Sequence, residues 1–231
     1  MKALCLTIIL ALSCLVTRSQ ILYPRIGATA SVNTYNPTPY DIKPRVGFLI
    51  GVGYQLKLTN TVSARAELNY VRNAYEAKYA VDIYIPDGMD TYELHESASN
   101  RYNVSYLEVP VLLKIKLLHK DFFVTGGPSV ALGLGGSHRY NFSRTSSYLD
   151  PIQEAGSGKI KFDGGLASNK GDIHYDSQWD VGFQAGIGAL LFKKLQVECR
   201  QSFGTINLYK NIDSKNRYLQ VSFSIPIPLG D

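Results

Sequence analysis

Trp179-Asp-Val-Gly-Phe-Gln-Ala-Gly-Ile-Gly-Ala-Leu-Leu191 decides the fold class. Trp179, Val181, Phe183, Ala185, Ile187, Ala189 and Leu191 occupy alternate positions, and Asp180, Gly182, Gln184, Gly186 and Gly188 lie between them. An apolar residue at every second position is the period of a β-strand with two unlike faces; a helix would need spacings of three and four. The stretch is also long enough to cross a bilayer, which takes about 9–11 strand residues.

Seven more segments repeat the pattern. In 62–70, Val62, Ala64, Ala66, Leu68 and Tyr70 oppose Ser63, Arg65, Glu67 and Asn69. In 106–117, Leu107, Val109, Val111, Leu113, Ile115 and Leu117 oppose Glu108, Pro110, Leu112, Lys114 and Lys116. Segment 195–203 sets Leu195, Val197, Cys199 and Phe203 against Gln196, Glu198, Arg200 and Ser202. Segments 45–58, 122–134 and 217–225 follow suit, and 22–32 does so more weakly, with Arg25, Gly27, Thr29 and Ser31 on its polar side. Short connections (59–61, 119–121, 193–194) alternate with longer ones (33–44, 86–100, 137–177, 211–216). Loops sorted by length onto two ends are the mark of an outer-membrane up-and-down barrel, with tight periplasmic turns and long external loops. The expectation is all-β: an eight-stranded antiparallel transmembrane β-barrel with both termini on the periplasmic side.

Period alone does not say which face is inside. A soluble barrel buries its apolar face; a membrane barrel turns that face to lipid. The polar faces here are rich in Gly and in charges of both signs, which suits a cramped, self-paired interior. Aromatic rings with polar tips gather toward the long-loop ends, where a membrane interface lies. Tyr70, Tyr106, Trp179, Tyr209 and Tyr218 are assigned to that interface band. Arg65, Glu67, Glu108, Lys114, Lys116, Glu198 and Arg200 are assigned to an ion-pair network in the lumen, because buried charges must be paired. Glu67 and Lys114 are expected at similar heights on neighbouring strands.

The start of the chain reads as a secretory signal over residues 1–19: Lys2, then an apolar run from Ala3 to Val16, then Thr17-Arg18-Ser19. Residues 20–231 form one barrel domain on this reading. Removal of the signal takes Cys5, Cys14, Lys2 and Arg18, so the net charge falls from +5 to +3 and Cys199 alone remains. That leaves no disulfide framework and no basic stripe for nucleic acid.

Tyr106-Leu-Glu-Val-Pro-Val-Leu-Leu-Lys114, followed by Gly126-Gly-Pro-Ser129 and closed by Asn216-Arg-Tyr-Leu-Gln-Val-Ser-Phe223, resembles the outer membrane protein beta-barrel domain family that includes PorT-like proteins. These are similar in shape to the barrel of outer-membrane protein A. The resemblance covers essentially all of 20–231. It implies residence in the cell outer membrane, contact with outer-membrane lipid, delivery by the barrel-insertion machinery, and a part in protein secretion as one form of function. One departure concerns the C-terminus, where such chains commonly end on an aromatic residue. Here Ile225-Pro-Ile-Pro-Leu-Gly-Asp231 follows Phe223. Pro226 and Pro228 cannot donate to a ladder, so the last strand should stop near Ile225.

Chemistry is sparse. His95, His119, His138 and His174 fall in connections without a nucleophile at suitable spacing, and Gly133-Leu-Gly-Gly136 precedes no helix and is not a phosphate loop. Asp172, His174 and Asp176 alternate and could chelate a cation, although a solvated polar loop explains them as well. No catalytic residue, cofactor or metal is assigned. The reading is a non-enzymatic structural or surface component acting through its external loops, with a protein partner at 137–177 and no nucleic acid. The alternatives are a soluble lipocalin-like ligand-binding barrel and a narrow gated pore lined by the lumen charges.

Overall fold

The computed structural model describes residues 20–31, 34–35, 41–87, 90–117, 121–147, 150–165, 171–192, 194–210 and 212–229. The signal segment 1–19 and His119 lie outside the described residues.

Twelve strands are described: β1 (Gln20–Ser31), β2 (Thr34–Tyr35), β3 (Asp41–Lys57), β4 (Val62–Asp87), β5 (Asp90–Lys116), β6 (Phe122–Ser146), β7 (Ile152–Lys161), β8 (Ile173–His174), β9 (Trp179–Leu191), β10 (Leu195–Tyr209), β11 (Ile212–Ser224) and β12 (Ile227–Pro228). Eight of them form the ring β1-β3-β4-β5-β6-β9-β10-β11, each antiparallel to its neighbours. Pairing of β11 with β1, with Ile26 opposite Phe223 and Ala28 opposite Val221, closes it. Closure leaves no sheet edge in lipid, where an unpaired backbone N–H or C=O would have no water to turn to. The strand β11 stops at Ser224, and Ile227–Pro228 then pairs the periplasmic end of β1. That site is peripheral, so the missing proline N–H leaves no ladder bond unmade.

Alternation sorts the faces as a membrane demands. Ile26, Ile50, Val111, Leu113, Phe183 and Ile187 are exposed around the ring, Ile187 by 66%. Opposite them Arg65, Asn69, Gln184, Arg200 and Gln220 are buried. The soluble-barrel alternative requires the reverse and fails on this point.

Connections 86–100 and 137–177 are mostly strand rather than loop. The strands β4, β5 and β6 run 26, 27 and 25 residues. All three exceed the roughly 10 residues that a membrane needs, so they climb out of it as a sheet. Residues 87 and 90 face each other at the tip of a tight β4–β5 hairpin. The strand β7 folds back on β6, from Gly136 opposite Ile160 to Arg144 opposite Ile152, and β8 joins β7 in parallel at Ile160 and Lys161. Connections 33–44 and 211–216 also shrink, since β3 begins at Asp41 and β11 at Ile212. The physical reason is common to all of these: above the bilayer both faces of a strand meet water, so the apolar period that marks a spanning strand disappears while the backbone ladder continues.

Candidate functional site

Three tiers stack along the barrel axis, and the lowest is the lumen. Arg65 and Arg200 head the fully buried side chains by volume, a burial that only pairing makes tolerable. Glu67 is the hub. Its Oε2 and Oε1 accept from Arg200 Nη1 and Nη2 at 2.9 and 3.0 Å, its Oε1 accepts from Tyr23 Oη at 2.9 Å, and Arg25 pairs with Oε2 as well. Glu198 accepts from Arg65 Nη1 at 3.2 Å and Thr125 Oγ1 at 2.6 Å, and pairs with Arg200 Nη2 at 2.9 Å. Gln55 and Gln196 take the other Arg65 donors at 3.0 and 2.6 Å. Its guanidinium lies between the rings of Tyr23 and Phe123, 4.9 and 5.3 Å from their centroids. Room for those rings comes from glycine: a Cβ on Gly53 would sit 2.2 Å from the Tyr23 ring, and one on Gly188 2.2 Å from that of Phe123.

The other assigned lumen residues are placed differently. Glu108 faces inward but forms no ion pair among the described residues; it accepts from Gln184 at 2.7 Å and from Tyr218 Oη at 2.5 Å. Lys114 donates to the Gln196 amide oxygen at 2.9 Å and sits 4.0 Å above the Phe123 ring. Lys116 is half-buried and makes no ion pair among the described residues. The expected levelling of Glu67 with Lys114 does not occur, because Lys114 pairs with Ser63, four residues below Glu67. Barrel strands tilt and stagger, so equal counts from two turns are not equal heights. Arg25 and Tyr23 joined the network unassigned; the polar side of β1 already carried Arg25, and only its height was missing.

The second tier closes the mouth with rings. Tyr75 stacks on Tyr102 at 4.6 Å, Tyr102 on His138 at 4.9 Å, and His138 on Tyr140 at 5.8 Å. From the segment leading to β9, Tyr175 crosses the opening; its hydroxyl meets that of Tyr75 at 2.9 Å and its ring meets Phe162 and Tyr209. Burial pushes the Tyr175 phenol well above its ordinary range. Phe162 lies over Gly133, where a Cβ would come within 2.5 Å of the ring.

Three members of the interface band therefore need correction. Tyr106 and Tyr218 point inward, each 3% exposed. They share the parity of Glu108 and Gln220, which the alternation places in the lumen. Tyr209 packs in the mouth cluster. Trp179 remains outward and 56% exposed, and Tyr70 is half-buried on the outer side with its hydroxyl 2.8 Å from Ser105.

The third tier is the projecting sheet of β4, β5, β6 and β7, with the top of β3 alongside. The candidate chelators part here. Asp172 accepts the Lys159 backbone N–H at 2.8 Å, His174 meets Asp163 at 2.5 Å, and Asp176 accepts the Lys210 N–H at 2.9 Å. The His174 hydrogen bond holds the Asp163 carboxyl below its usual range. Among the described residues no three His, Cys, Asp or Glu side chains are grouped to hold a metal ion. Cys199 is a free thiol on the outer side of β10.

The chain is similar over 91% of its length to 99% of Ail, the attachment invasion locus protein of Yersinia pestis, at 10% identity and a TM-score of 0.43. OprG from Pseudomonas aeruginosa aligns over 91% of this chain and 96% of its own, at 10% identity and 0.39. For Neisserial surface protein A the shares are 88% and 96%, at 8% identity and 0.38. No curated protein matches by sequence. A family model described as "Outer membrane protein beta-barrel domain" matches residues 18–210. With its apolar belt turned to lipid and its backbone ring closed, the chain is a cell outer-membrane protein and belongs to the outer membrane protein beta-barrel domain family.

Proposed function

We propose that this is a non-enzymatic surface component of the outer membrane that captures a protein partner on its projecting β4–β5 hairpin. The carrying observation is an apolar strip where no lipid reaches. Val81, Ile83 and Ile85 stand opposite Glu96, Leu94 and Tyr92 on one side of the hairpin. Ile83 and Ile85 are 38% and 46% exposed, and Tyr84 on the other side 63%. Arg72 to Asp87 is roughly 50 Å of strand at about 3.3 Å per residue, so the tip stands far outside the membrane. Beyond Lys78, no strand among the described residues pairs the far edge of β4. An exposed edge flanked by alternating apolar side chains is the template for addition of a partner's strand.

The hairpin β6–β7, which makes up most of 137–177, buttresses this edge rather than forming it: Leu94 and Glu96 of β5 pair with Ser146 and Arg144. A secretion assembly of the PorT-like kind is the finer version of the proposal, with the partner a component of that assembly. Insertion would rest on β11, where Phe223 is the last outward aromatic ring. A photo-crosslinking residue at Ile83, compared with one at Phe183 in the lipid belt, tests the proposal in intact cells. A discrete protein adduct from Ile83 and none from Phe183 is expected. Lipid adducts alone from both would refute it.

A further inference from the structure

The outward side of the projecting sheet changes character immediately above the lipid belt. Phe48 and Tyr70 are its last outward rings there, packed 5.8 Å apart. Arg72 pairs with Phe48 one outward step above Tyr70. The next outward row runs Arg45, Ala74, Asn103, Ser137 and Lys159 across β3 to β7; the one above it runs Lys43, Glu76, Arg101, Arg139 and Ser157. A third begins Asp41, Lys78, Ser99, Asn141 and Ala155. Lys43, Arg45, Lys78, Arg101, Arg139 and Lys159 are all exposed. Only two carboxylates share these rows. Asp41 meets Lys43 at 3.2 Å; Glu76 meets Arg101 at 3.0 Å and Lys78 at 3.6 Å. The rest of the positive charge is uncompensated within the rows. Five strands at about 4.8 Å spacing spread it over roughly 20 Å along the membrane surface.

Directly above lies a shallow cleft of about 840 Å³, lined by Lys78, Ser97, Ser99, Asn141, Ser143 and Gln153 among others. Its hydroxyls, amides and the Lys78 ammonium are groups that hydrogen-bond to sugar hydroxyls; Tyr79, Phe142 and three alanines line it as well, and its two carboxylates, Asp41 and Glu154, meet Lys43 and the Tyr140 hydroxyl. Exposed cations at the bilayer surface, surmounted by a cleft of mixed polar and apolar lining, match a headgroup whose phosphates lie at the membrane plane and whose sugars rise from it. Cation clusters beside a membrane span attract anionic headgroups in this way.

We propose that this collar and cleft, on the outward side of β3 to β7, bind the phosphorylated sugar headgroup of a glycolipid in the surrounding outer leaflet. The occupant reaches the site laterally through the bilayer, because the collar continues the lipid belt without a break. The protein partner proposed for the hairpin tip is a separate matter: its failure would leave this site untouched.

Native mass spectrometry of the full folded chain released from detergent tests it with three additives: a phosphorylated outer-leaflet glycolipid, the same glycolipid dephosphorylated, and inorganic phosphate. Retention of the first, with the second weaker by about tenfold or more, is expected. The triple variant Arg45→Ser/Arg139→Ser/Lys159→Ser, which removes cations without a carboxylate partner in the rows, should lose a similar factor while keeping the heat-modifiable gel migration of a folded barrel. If that variant does not fold, the dephosphorylated arm decides alone. Equal retention of both glycolipids, or an unchanged affinity in a folded triple variant, overturns the proposal. Displacement by inorganic phosphate at a concentration equal to the glycolipid also overturns it, since the site would then be one for a free anion.

Discussion

Arg200 and Glu67 face each other across the barrel lumen, 133 positions apart in sequence, and join through a forked pair of hydrogen bonds at 2.9 and 3.0 Å. Neither side chain is exposed to water. Removing Glu67 leaves Arg25 without its ion-pair partner and Arg200 with Glu198 alone, in a desolvated interior. Glu67→Ala should therefore lower the unfolding free energy by about 3–5 kcal/mol, whereas Glu67→Met with Arg200→Met should cost less than the two single changes added. Urea titration of the barrel refolded into lipid vesicles reads both. A Glu67→Ala loss below about 1 kcal/mol would mean the lumen is wetter than its geometry implies.

Phe183 and Trp179 lie on the same outward side of β9, at different depths. Phe183 is near the middle of the spanning stretch and Trp179 at its external end. Arginine at 183 should cost about 2–4 kcal/mol and arginine at 179 about 0–1. Equal costs in the same vesicle assay would contradict the assigned membrane depth.

Tyr175 bridges the mouth from β9's approach to Tyr75 on β4. Tyr175→Ala removes a buried ring and should cost about 3–5 kcal/mol if the site does not collapse. Hydrogen exchange should show lost protection first at the Gly164 amide, which donates to the carbonyl of residue 175, and at the amide of residue 175 itself, which donates to the Lys161 carbonyl. Tyr175→Phe should retain most of this protection, because it loses only the shared hydroxyl contact. Similar loss in both variants would shift the weight from the ring to the hydroxyl.

Glu76 is held below the ordinary carboxylate value of 4.5, first by the hydrogen bond from Arg101; burial opposes this as the next-largest effect, and the Ser99 hydrogen bond and the Lys78 charge add to the lowering. A depressed carboxyl contributes stability that is present above its unfolded value and is lost as pH falls through its folded one. Order around Glu76 and Arg101 should therefore persist from neutral pH to about 4.5 and loosen only below it. Amide exchange along β4 and β5 reads this. The acid-induced loosening should be absent from Glu76→Gln; a variant that still loosens at the same pH would place the titrating group elsewhere.

The spanning half of the fold was legible because lipid imposes a strict two-residue period on every strand. Trp179–Leu191 is bounded in the structure where its alternation begins and ends. The projecting half was not legible: Ser97, Ser99, Asn141 and Ser143 face outward on well-paired strands, yet their composition is that of a loop. Parity also located the lumen residues, and it contradicts the interface assignment of Tyr106 and Tyr218, whose neighbours Leu107 and Leu219 are the outward ones. Partnership within the lumen was harder. Glu67 meets Arg25 and Arg200 on strands distant in sequence, and that depends on tilt and stagger, which no single strand encodes.

Side chains fill the lumen, which leaves the projecting sheet as the part we propose meets a partner. Single-channel recording in planar bilayers tests this most directly. Purified native chain should give no steady conductance under moderate voltage, since the lumen is occupied by the Glu67–Arg200–Glu198–Arg65 chain and its mouth by Tyr75 and Tyr175. Steady, unitary openings of the native chain that change in size in Glu67→Ala would contradict the account and assign the lumen charges to a conducting pore.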